Sequence, residues 1–197
     1  ENGMKVVLSS EGGDELLAGY PRYSNYRKLG DKLFKVPYFI RKPLGNLLLL
    51  IDNTIGATSF GNRIGALGQL LKSDNWLSFY KSRISNLTDS SVSKFTKCNP
   101  IDTNASLPDK IINSNLSPEE LFMLWDLKYL LPDDFLVKVD RATMYHGIES
   151  RDPFLDHRLV EFCLRLPLEF KLKNGQTKYL LRKVLERYIP NSYFDRP

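Results

Sequence analysis

The sequence predicts a mainly α-helical chain that contributes one strong strand to the parallel sheet of a larger α/β domain. The strand is Val6-Val7-Leu8, a short apolar run of the β-branched kind that suits a buried strand. Helical periodicity and helix-capping residues mark most later segments, and none of these favours a second strand as clearly. Because a parallel strand needs neighbours and crossover connections, we expect its partners to lie upstream of Glu1.

The first half of the chain is predicted to be helical after this strand. Residues 14–20 should form a short helix. Tyr20, Tyr23 and Tyr26 recur at a spacing of three, which favours a packed helical face over a ligand-stacking surface. The basic stretch 28–42 is expected to be a solvated face. Apolar periodicity then predicts helices at 44–51, 60–71 and 75–87, followed by a polar surface connection at 88–115.

The second half of the chain carries clear helix boundaries. Ser117-Pro-Glu-Glu120 has the pattern of a capping box with proline in the first helical position. The apolar stripe that follows is expected to end at Pro132. A second helix is predicted for 133–146, and Gly147 supplies its stop. Two further helices are predicted, one capped by Asp156 and one capped by Thr177 that covers about 178–189.

Composition excludes several classes of protein. With 42% hydrophobic and 26% charged residues among 197, the chain is globular. A net charge of +5, without a basic run interleaved with aromatics, gives no reason to expect a nucleic-acid partner. Cys98, Cys163, His146 and His157 do not have the spacing of a zinc site. The longest apolar run, 47–51, is too short to cross a bilayer, so we expect a reduced, cytoplasmic setting with no membrane partner.

The residues that follow the strand have the character of a binding site. Gly12-Gly13 forms a turn after Ser9 and Ser10, and Glu11, Asp14 and Glu15 crowd around it. Ligands of open α/β sheets bind beyond the carboxyl ends of the strands, and glycine lets a ligand approach the backbone. Mg²⁺ could bridge these carboxylates to a phosphate group. The alternative is structural, because acidic residues in a first turn stabilise a helix through its dipole.

A second candidate site lies near the C-terminus, in Asn174-Gly-Gln-Thr-Lys-Tyr-Leu-Leu-Arg182. Lys178 falls at the predicted start of a helix, where the helix dipole disfavours a cation. Arg182 follows one turn later, so two like charges share one face. An anion such as polyphosphate would relieve this repulsion. The alternative is a solvated basic face.

A third stretch carries several charged residues on a predicted helix and the loop that follows it. It comprises Tyr129-Leu-Leu-Pro-Asp-Asp-Phe-Leu-Val-Lys-Val-Asp-Arg-Ala-Thr-Met144 and Ile148-Glu-Ser-Arg-Asp-Pro-Phe-Leu-Asp156. Lys138 and Arg141 share a helical face and could form ordinary ion pairs there. Arg151 is expected on a loop, where charged residues are more often functional.

Together the three stretches resemble the glutamine-dependent asparagine synthetase family. Leu8-Ser-Ser-Glu-Gly-Gly-Asp-Glu-Leu-Leu-Ala-Gly-Tyr20 is similar to the family signature L-S-G-E-G-G/S-D-E-x-F-G-G-Y. The other two stretches resemble its Y-L-P-D-D-x-L-x-K-x-D-R-x-S-M…V-E-x-R-x-P-F-L-D run and its G-x-x-K-x-L-L-R motif. Two departures stand out, since Ser10 replaces a glycine and Leu17-Ala18 replaces Phe-Gly.

The resemblance implies an adenine-nucleotide alpha-hydrolase-like fold and the ATP-dependent conversion of aspartate to asparagine. In that family aspartate forms a β-aspartyl-adenylate, which ammonia released from glutamine then attacks. The resemblance places Ser9, Ser10 and Arg182 at ATP. It also places Glu11 at the intermediate, Asp14 at Mg²⁺ and Lys178 at the phosphates, with Glu11 and Lys178 as the catalytic residues.

The resemblance further implies that residues 1–197 are the C-terminal part of a synthetase domain. The family's S-G-G-x-D-S pyrophosphate loop and its N-terminal glutaminase domain do not occur in this sequence, so we expect the chain alone to be inactive. A homodimer is a possible assembly. Two alternatives remain, namely a related amidotransferase that acts on a sugar acid or a peptide and a non-catalytic helical interaction module.

Overall fold

The computed structural model describes residues 3–55, 59–85, 92, 107–112 and 114–194. These residues fall into two compact units, one built from Glu1–Ser24 with Phe122–Pro197 and the other from Asn25–Leu121. The candidate site residues named above all belong to the first unit.

The first unit contains a two-stranded parallel sheet. Strand β1 is Val6–Leu8, as predicted, and its partner β2 is Glu149–Arg151. The prediction that partners lie only upstream was therefore wrong for this neighbour, which follows in the same chain. Polar residues fill β2, so it lacks the apolar pattern that marks a strand in sequence. Arg151, expected on a loop, is the last residue of this strand.

Burial in β1 also differs from the prediction of a buried strand. Val6 and Leu8 are 40% and 74% exposed, whereas Val7 between them is partly buried. Successive side chains of a strand point to opposite faces. The described residues therefore cover one face of this sheet and leave the face with Val6 and Leu8 open.

Helices make up most of the described chain. In chain order they are α1 (Gly13–Leu16), α2 (Arg22–Leu33), α3 (Tyr38–Ile55), α4 (Ser59–Leu71), α5 (Trp76–Ile84), α6 (Asp109–Ile112), α7 (Pro118–Trp125), a π-helix (Asp126–Leu136), α8 (Val137–Met144), α9 (His157–Arg165), α10 (Leu168–Lys171) and α11 (Tyr179–Leu185), with 3-10 turns at Pro153–Leu155 and Asn191–Tyr193.

Several predicted helix boundaries are confirmed. Ser117 and Glu120 form the capping box that begins α7. The Ser117 backbone N–H donates to the Glu120 carboxylate at 2.9 Å, and the Glu120 backbone N–H donates to the Ser117 hydroxyl oxygen at 3.3 Å. Asp156 caps α9 by accepting from the Arg158 backbone N–H at 3.0 Å. Gly147 lies three residues after α8, which ends at Met144 rather than at the predicted 146, and its left-handed φ of 65° is one that glycine adopts without strain.

The predicted break at Pro132 was wrong. The chain is helical from α7 through the π-helix to α8, and Pro132 lies inside the π-helix. In an α-helix the proline ring clashes with the carbonyl four residues earlier. The wider i→i+5 winding of a π-helix relieves that clash, so the helical path continues without a loop.

Other helix boundaries differ from the predicted ones. α3 begins before the predicted 44–51 and contains Pro43, while α5 ends at Ile84. The end of the predicted helix at 86–87 and most of the predicted connection at 88–115 lie outside the described residues. α6 occupies the part of that connection that is described.

The second unit is held together around α3, α4 and an aromatic group. Trp76 and Phe34 meet at 4.8 Å between ring centroids, and Tyr26 packs edge-on against Phe79 and Tyr80. Tyr26 therefore packs as predicted. Arg41 corrects the prediction of a solvated basic stretch, because its buried guanidinium donates to the carbonyls of Val36, Leu71 and Ser73.

The core of the first unit surrounds α1. Leu16, Leu17 and Cys163 are buried together, and the partly buried side chains packed against them are Leu127, Phe154, Leu159, Val160 and Leu181. Full burial of an aliphatic side chain stabilises a fold by about 1.5–3 kcal/mol. This cluster therefore fixes α1, and with it the turn that precedes α1. Within the described parts of the chain, no helix has the length and hydrophobicity needed to cross a membrane.

Candidate functional site

The candidate site begins where the two strands end side by side. The Ser9 backbone N–H donates to the Arg151 carbonyl at 2.9 Å, which extends the ladder one residue beyond β1. The Ser10 carbonyl then accepts from the Gly13 N–H at 3.3 Å. Ser9 and Ser10, both predicted to contact ATP, therefore lie at the carboxyl edge of the sheet, where open α/β sheets bind their ligands.

A glycine is required in the turn between β1 and α1. Gly12 has a φ of 85°, a left-handed conformation that other residues rarely adopt. A Cβ on Gly12 would also overlap the Leu155 side chain. The turn therefore packs directly on the 3-10 turn that follows β2, and the loops after both strands form one structure.

The three carboxylates around this turn point to different surroundings. Glu11 is half-buried in the turn. Asp14 is one-third exposed and forms an ion pair with Lys178. Glu15 is only 2% exposed, and its Oε1 accepts from the Tyr20 hydroxyl at 2.9 Å. Of the three carboxylates, Glu11 and Asp14 are therefore partly exposed, whereas Glu15 is buried.

Lys178 and Asp14, two of the predicted site residues, are brought into direct contact. The Lys178 Nζ lies 3.0 Å from Asp14 Oδ1, and each side chain is 33% exposed. The Lys178 backbone N–H donates to the Leu17 carbonyl at 3.1 Å. The start of α11 is therefore fastened to the end of α1 by both main chain and side chain.

The local structure of Lys178 corrects the prediction for this helix. Lys178 is the N-cap residue of α11, with a left-handed φ of 52°, so Thr177 is not the cap and α11 begins at Tyr179. The helix ends at Leu185, earlier than the predicted 189. Left-handed backbone at a residue other than glycine is strained, and such residues are enriched at functional sites.

Arg182 lies one turn along α11 from Lys178. Its backbone N–H donates to the Lys178 carbonyl at 2.9 Å, and its Nε donates to the Thr177 carbonyl at 3.2 Å. The guanidinium therefore stays close to the start of the helix. The like charges of Lys178 and Arg182 are partly balanced by Asp14, which the sequence did not indicate.

Arg151 lies next to the site but is engaged on its own strand. Its Nε donates to Glu149 Oε1 at 2.8 Å, and both side chains are exposed. This hydrogen bond lowers the pKa of the Glu149 carboxyl below its usual value. The connection of this pair to Ser9 is the backbone hydrogen bond between the Ser9 N–H and the Arg151 carbonyl.

A buried polar network beneath the site was missed by sequence reasoning. The Tyr23 hydroxyl and the Arg22 guanidinium both donate to Asp126 Oδ2 at 2.7 Å. Burial raises the pKa of Glu15, and its Tyr20 hydrogen bond partly opposes that shift. Asp126 lies more than a hundred positions from Arg22 in the chain. No local pattern could therefore have indicated the pairing.

The residues at the site fit a magnesium nucleotide. Mg²⁺ is commonly held by one or two carboxylates together with substrate phosphates, and Asp14 offers one partly exposed carboxylate. The described residues contain no group of three or more His, Cys, Asp or Glu that could hold a metal by itself. Lys178 and Arg182, at the start of α11, are the cations of the candidate site.

The family model and the relatives that match this chain all carry the description of asparagine synthases or synthetases. A family model described as asparagine synthase matches residues 1–197. Glutamine-hydrolysing asparagine synthetase 1 of Bacillus subtilis is 29% identical over 202 residues, which cover 97% of this chain and 29% of that protein. A putative glutamine-hydrolysing asparagine synthetase of Mycobacterium tuberculosis is 29% identical over 199 residues, covering 98% and 29%.

The human glutamine-hydrolysing asparagine synthetase is similar over a shorter stretch. It is 45% identical over 65 residues, which cover 32% of this chain and 12% of the human protein. No solved structure matches the chain. The chain therefore spans less than a third of the length of these relatives.

Proposed function

The chain belongs to the asparagine synthase family, and from that premise we propose that it forms part of an ATP-dependent ligase that converts aspartate to asparagine. The aspartate side chain is activated as a β-aspartyl-adenylate, and ammonia from glutamine displaces AMP. A separate glutaminase domain supplies the ammonia. The observation that carries this proposal is the contact between Lys178 and Asp14 beside the strand ends.

The strand ends hold the nucleotide in this proposal. Ser9 and Ser10 present backbone groups and hydroxyls at the carboxyl edge of the sheet. Glu11, half-buried in the next turn, handles the acyl intermediate and the incoming amine. Because the loops after both strands pack together at Gly12 and Leu155, these groups are held in place before the substrates arrive. Preorganised polar groups of this kind stabilise developing charge with little reorganisation.

Asp14, Lys178 and Arg182 act on the phosphates. Asp14 would hold Mg²⁺, which when bound would neutralise part of the charge of the polyphosphate. Lys178 balances the charge that develops on the leaving pyrophosphate, and Arg182 binds the nucleotide from one helical turn away. The ion pair keeps the Lys178 ammonium beside the metal ligand while the nucleotide is absent.

A second candidate acceptor follows from Ser10. This residue stands where the family signature has glycine, next to Glu11, and a hydroxymethyl group there changes the space available to the acceptor. A related amidation of a sugar acid or a peptide carboxylate is the alternative. We further propose a cytoplasmic location, which suits the buried free thiol of Cys163.

Replacement of Lys178 tests the proposal. In the full-length protein, Lys178→Met is expected to slow pyrophosphate release by about 10²–10³-fold with ammonia as nitrogen source, because one preorganised charge is lost. The matched control is Lys183→Met on the same helix, since Lys183 pairs with Glu186 on the exposed side and should leave the rate unchanged.

Thermal unfolding of both variants separates chemistry from folding. The pair of Lys178 with Asp14 is one-third exposed, so its loss should lower stability by less than about 1 kcal/mol. A normal rate of pyrophosphate release in Lys178→Met would remove this residue from the chemistry. A release of AMP with an acceptor other than aspartate would favour the alternative substrate.

A further inference from the structure

The end of α1 carries a glycine where the backbone does not require one. The Gly19 N–H donates to the Asp14 carbonyl at 2.8 Å, which is the 6→1 bond of a Schellman motif. The residue with left-handed backbone in that motif is Ala18, at a φ of 52°, and Gly19 is not among the residues with positive φ. Glycine normally takes the left-handed position, so backbone conformation accounts for a glycine at 18 and not at 19.

The space around Gly19 gives a different reason for the glycine. A Cβ at this position would overlap both Asp14 Oδ1 and Lys178 Cε, and would lie 2.7 Å from Asp14 Cγ. Real Cβ atoms do not approach other heavy atoms this closely. The ion pair therefore occupies the space that a side chain at position 19 would fill.

We propose that Gly19 is a positioning residue for the Asp14–Lys178 pair. Its missing Cβ lets the carboxylate and the ammonium meet directly above the main chain. The Lys178 backbone is anchored two residues away, at the Leu17 carbonyl, so the overlap with a new Cβ would have to be relieved by movement of the Asp14 and Lys178 side chains. The catalytic part of the inference rests on the proposed function, whereas the steric part does not.

A side chain at 19 would therefore act through its neighbours. It would force Asp14 or Lys178 out of the present rotamer and separate the two charged groups. If Asp14 holds the metal and Lys178 acts on the phosphates, the lack of a side chain at Gly19 preserves the distance between the Asp14 carboxylate and the Lys178 ammonium. A misplacement of about 1 Å at such groups can cost on the order of 10²-fold in rate.

The steric part is tested by unfolding the full chain in four forms: the unchanged protein, Gly19→Ala, Asp14→Ala and the double variant. Asp14→Ala removes the Oδ1 and Cγ atoms that the new Cβ would meet, and it frees the Lys178 side chain, whose Cε is the other overlapping atom, to move away. Gly19→Ala alone is expected to lower Tm by roughly 2–4 °C, and the same change is expected to have almost no effect once Asp14 is alanine. An equal fall in both backgrounds would overturn the inference.

A failure of Gly19→Ala to fold does not remove the test. Recovery of folding in the double variant would support the inference, and an unfolded double variant would overturn it. Ala18→Gly is the matched control, because it alters the adjacent residue, adds no Cβ and relieves a left-handed conformation. The methyl group it removes is fully buried, which offsets the relief of strain, so Tm should change little and the rate of pyrophosphate release should stay unchanged.

Kinetics of the full-length protein test the positioning role. Gly19→Ala is expected to reduce kcat for pyrophosphate release on the order of 10²-fold with little change in the KM for aspartate. Gly19→Ala added to a variant that lacks both charged groups, Asp14→Ala with Lys178→Met, should cause no further loss. A further loss of the same size would show that Gly19 does not act through the ion pair. If Lys178→Met alone has no effect, the proposed function fails while the unfolding result still decides the steric claim.

Discussion

At the level of single residues, Glu15 is a buried acid whose ionisation should affect folding. It is almost fully buried and accepts from the Tyr20 hydroxyl. Burial raises its pKa above the usual 4.5, the backbone and Tyr20 hydrogen bonds oppose the shift, and the charges of Asp14 and Asp126 add to it. The structure therefore holds a carboxyl that is harder to ionise than it is in the unfolded chain.

The sign of the pH dependence follows from this shift. As pH rises above 4.5 the unfolded chain loses the Glu15 proton before the folded protein does, so the free energy of unfolding falls until the folded pKa is passed. Glu15→Gln keeps an acceptor for Tyr20 and has no proton to lose. The stability of the unchanged protein relative to this variant should therefore decrease with rising pH, as measured by urea unfolding at a series of pH values.

Two comparisons make this prediction specific. Burial also raises the pKa of Glu119, but that contribution is present in both proteins and cancels. Tyr20→Phe leaves the buried carboxyl without its hydroxyl donor and should destabilise the protein by about 1–3 kcal/mol at neutral pH. If the unchanged protein instead became more stable relative to Glu15→Gln as pH rises, the assignment would be contradicted.

The sequence was informative about the local structure around the candidate site residues and less so about what each one contacts. The motif around Ser9, Ser10 and Asp14 predicted a strand end followed by a helix, and the structure has that order. The partner of Asp14 is Lys178, more than 160 positions away. Contacts at that separation depend on the tertiary fold, so neither the ion pair nor the need for a glycine at 19 could be inferred from local pattern.

At the level of elements, the caps of α7 and α9 were predictable from sequence, whereas the cap of α11 and the continuity of the helix through Pro132 were not. The capping box at Ser117 and the cap at Asp156 rely on side chains within three residues of each other, which a sequence displays directly. The path through Pro132 depends on the looser winding of the π-helix. The polar strand β2 depends on its pairing with β1. Both are tertiary effects that override local propensity.

The crossing of α3 and α4 gives a prediction at this scale. A Cβ on Gly45 would lie 2.8 Å from the Gly68 carbonyl oxygen, and a Cβ on Gly68 would lie 3.0 Å from the Gly45 carbonyl oxygen. Gly45→Ala should force the helices apart and lower the free energy of unfolding by about 1–3 kcal/mol. This cost outweighs the 0.5–1 kcal/mol or so that alanine contributes to a helix interior relative to glycine.

The control for the helix crossing is the neighbouring residue. Asn46 is exposed on α3, so Asn46→Ala tests helix propensity without adding bulk to the crossing and should leave stability unchanged or slightly raised. Both variants are compared by urea unfolding monitored by circular dichroism. A stabilised Gly45→Ala variant would show that the two helices have room for a methyl group.

At the level of the whole molecule, the two units have separate buried groups. Leu16, Leu17 and Cys163 form the cluster of the first unit, and Phe79 and Tyr80 are fully buried in the second. A unit with its own core can unfold as a unit of its own. The chain has two tryptophans, and they report on different units, since Trp125 lies in the first and Trp76 in the second.

These tryptophans let the stability of each unit be followed separately. Trp76 contacts the Phe34 ring at 4.8 Å between centroids, and Trp125 contacts the Tyr129 ring at 5.4 Å. In a Trp125→Phe background the fluorescence comes from Trp76 alone, and Gly45→Ala should shift the urea midpoint clearly, because the change lies in the same unit. In a Trp76→Phe background the same change should shift the Trp125 signal much less. Tyr20→Phe, which alters the first unit, should give the reverse order. Equal shifts of both signals by both variants would instead show that the 197-residue chain unfolds as one cooperative structure.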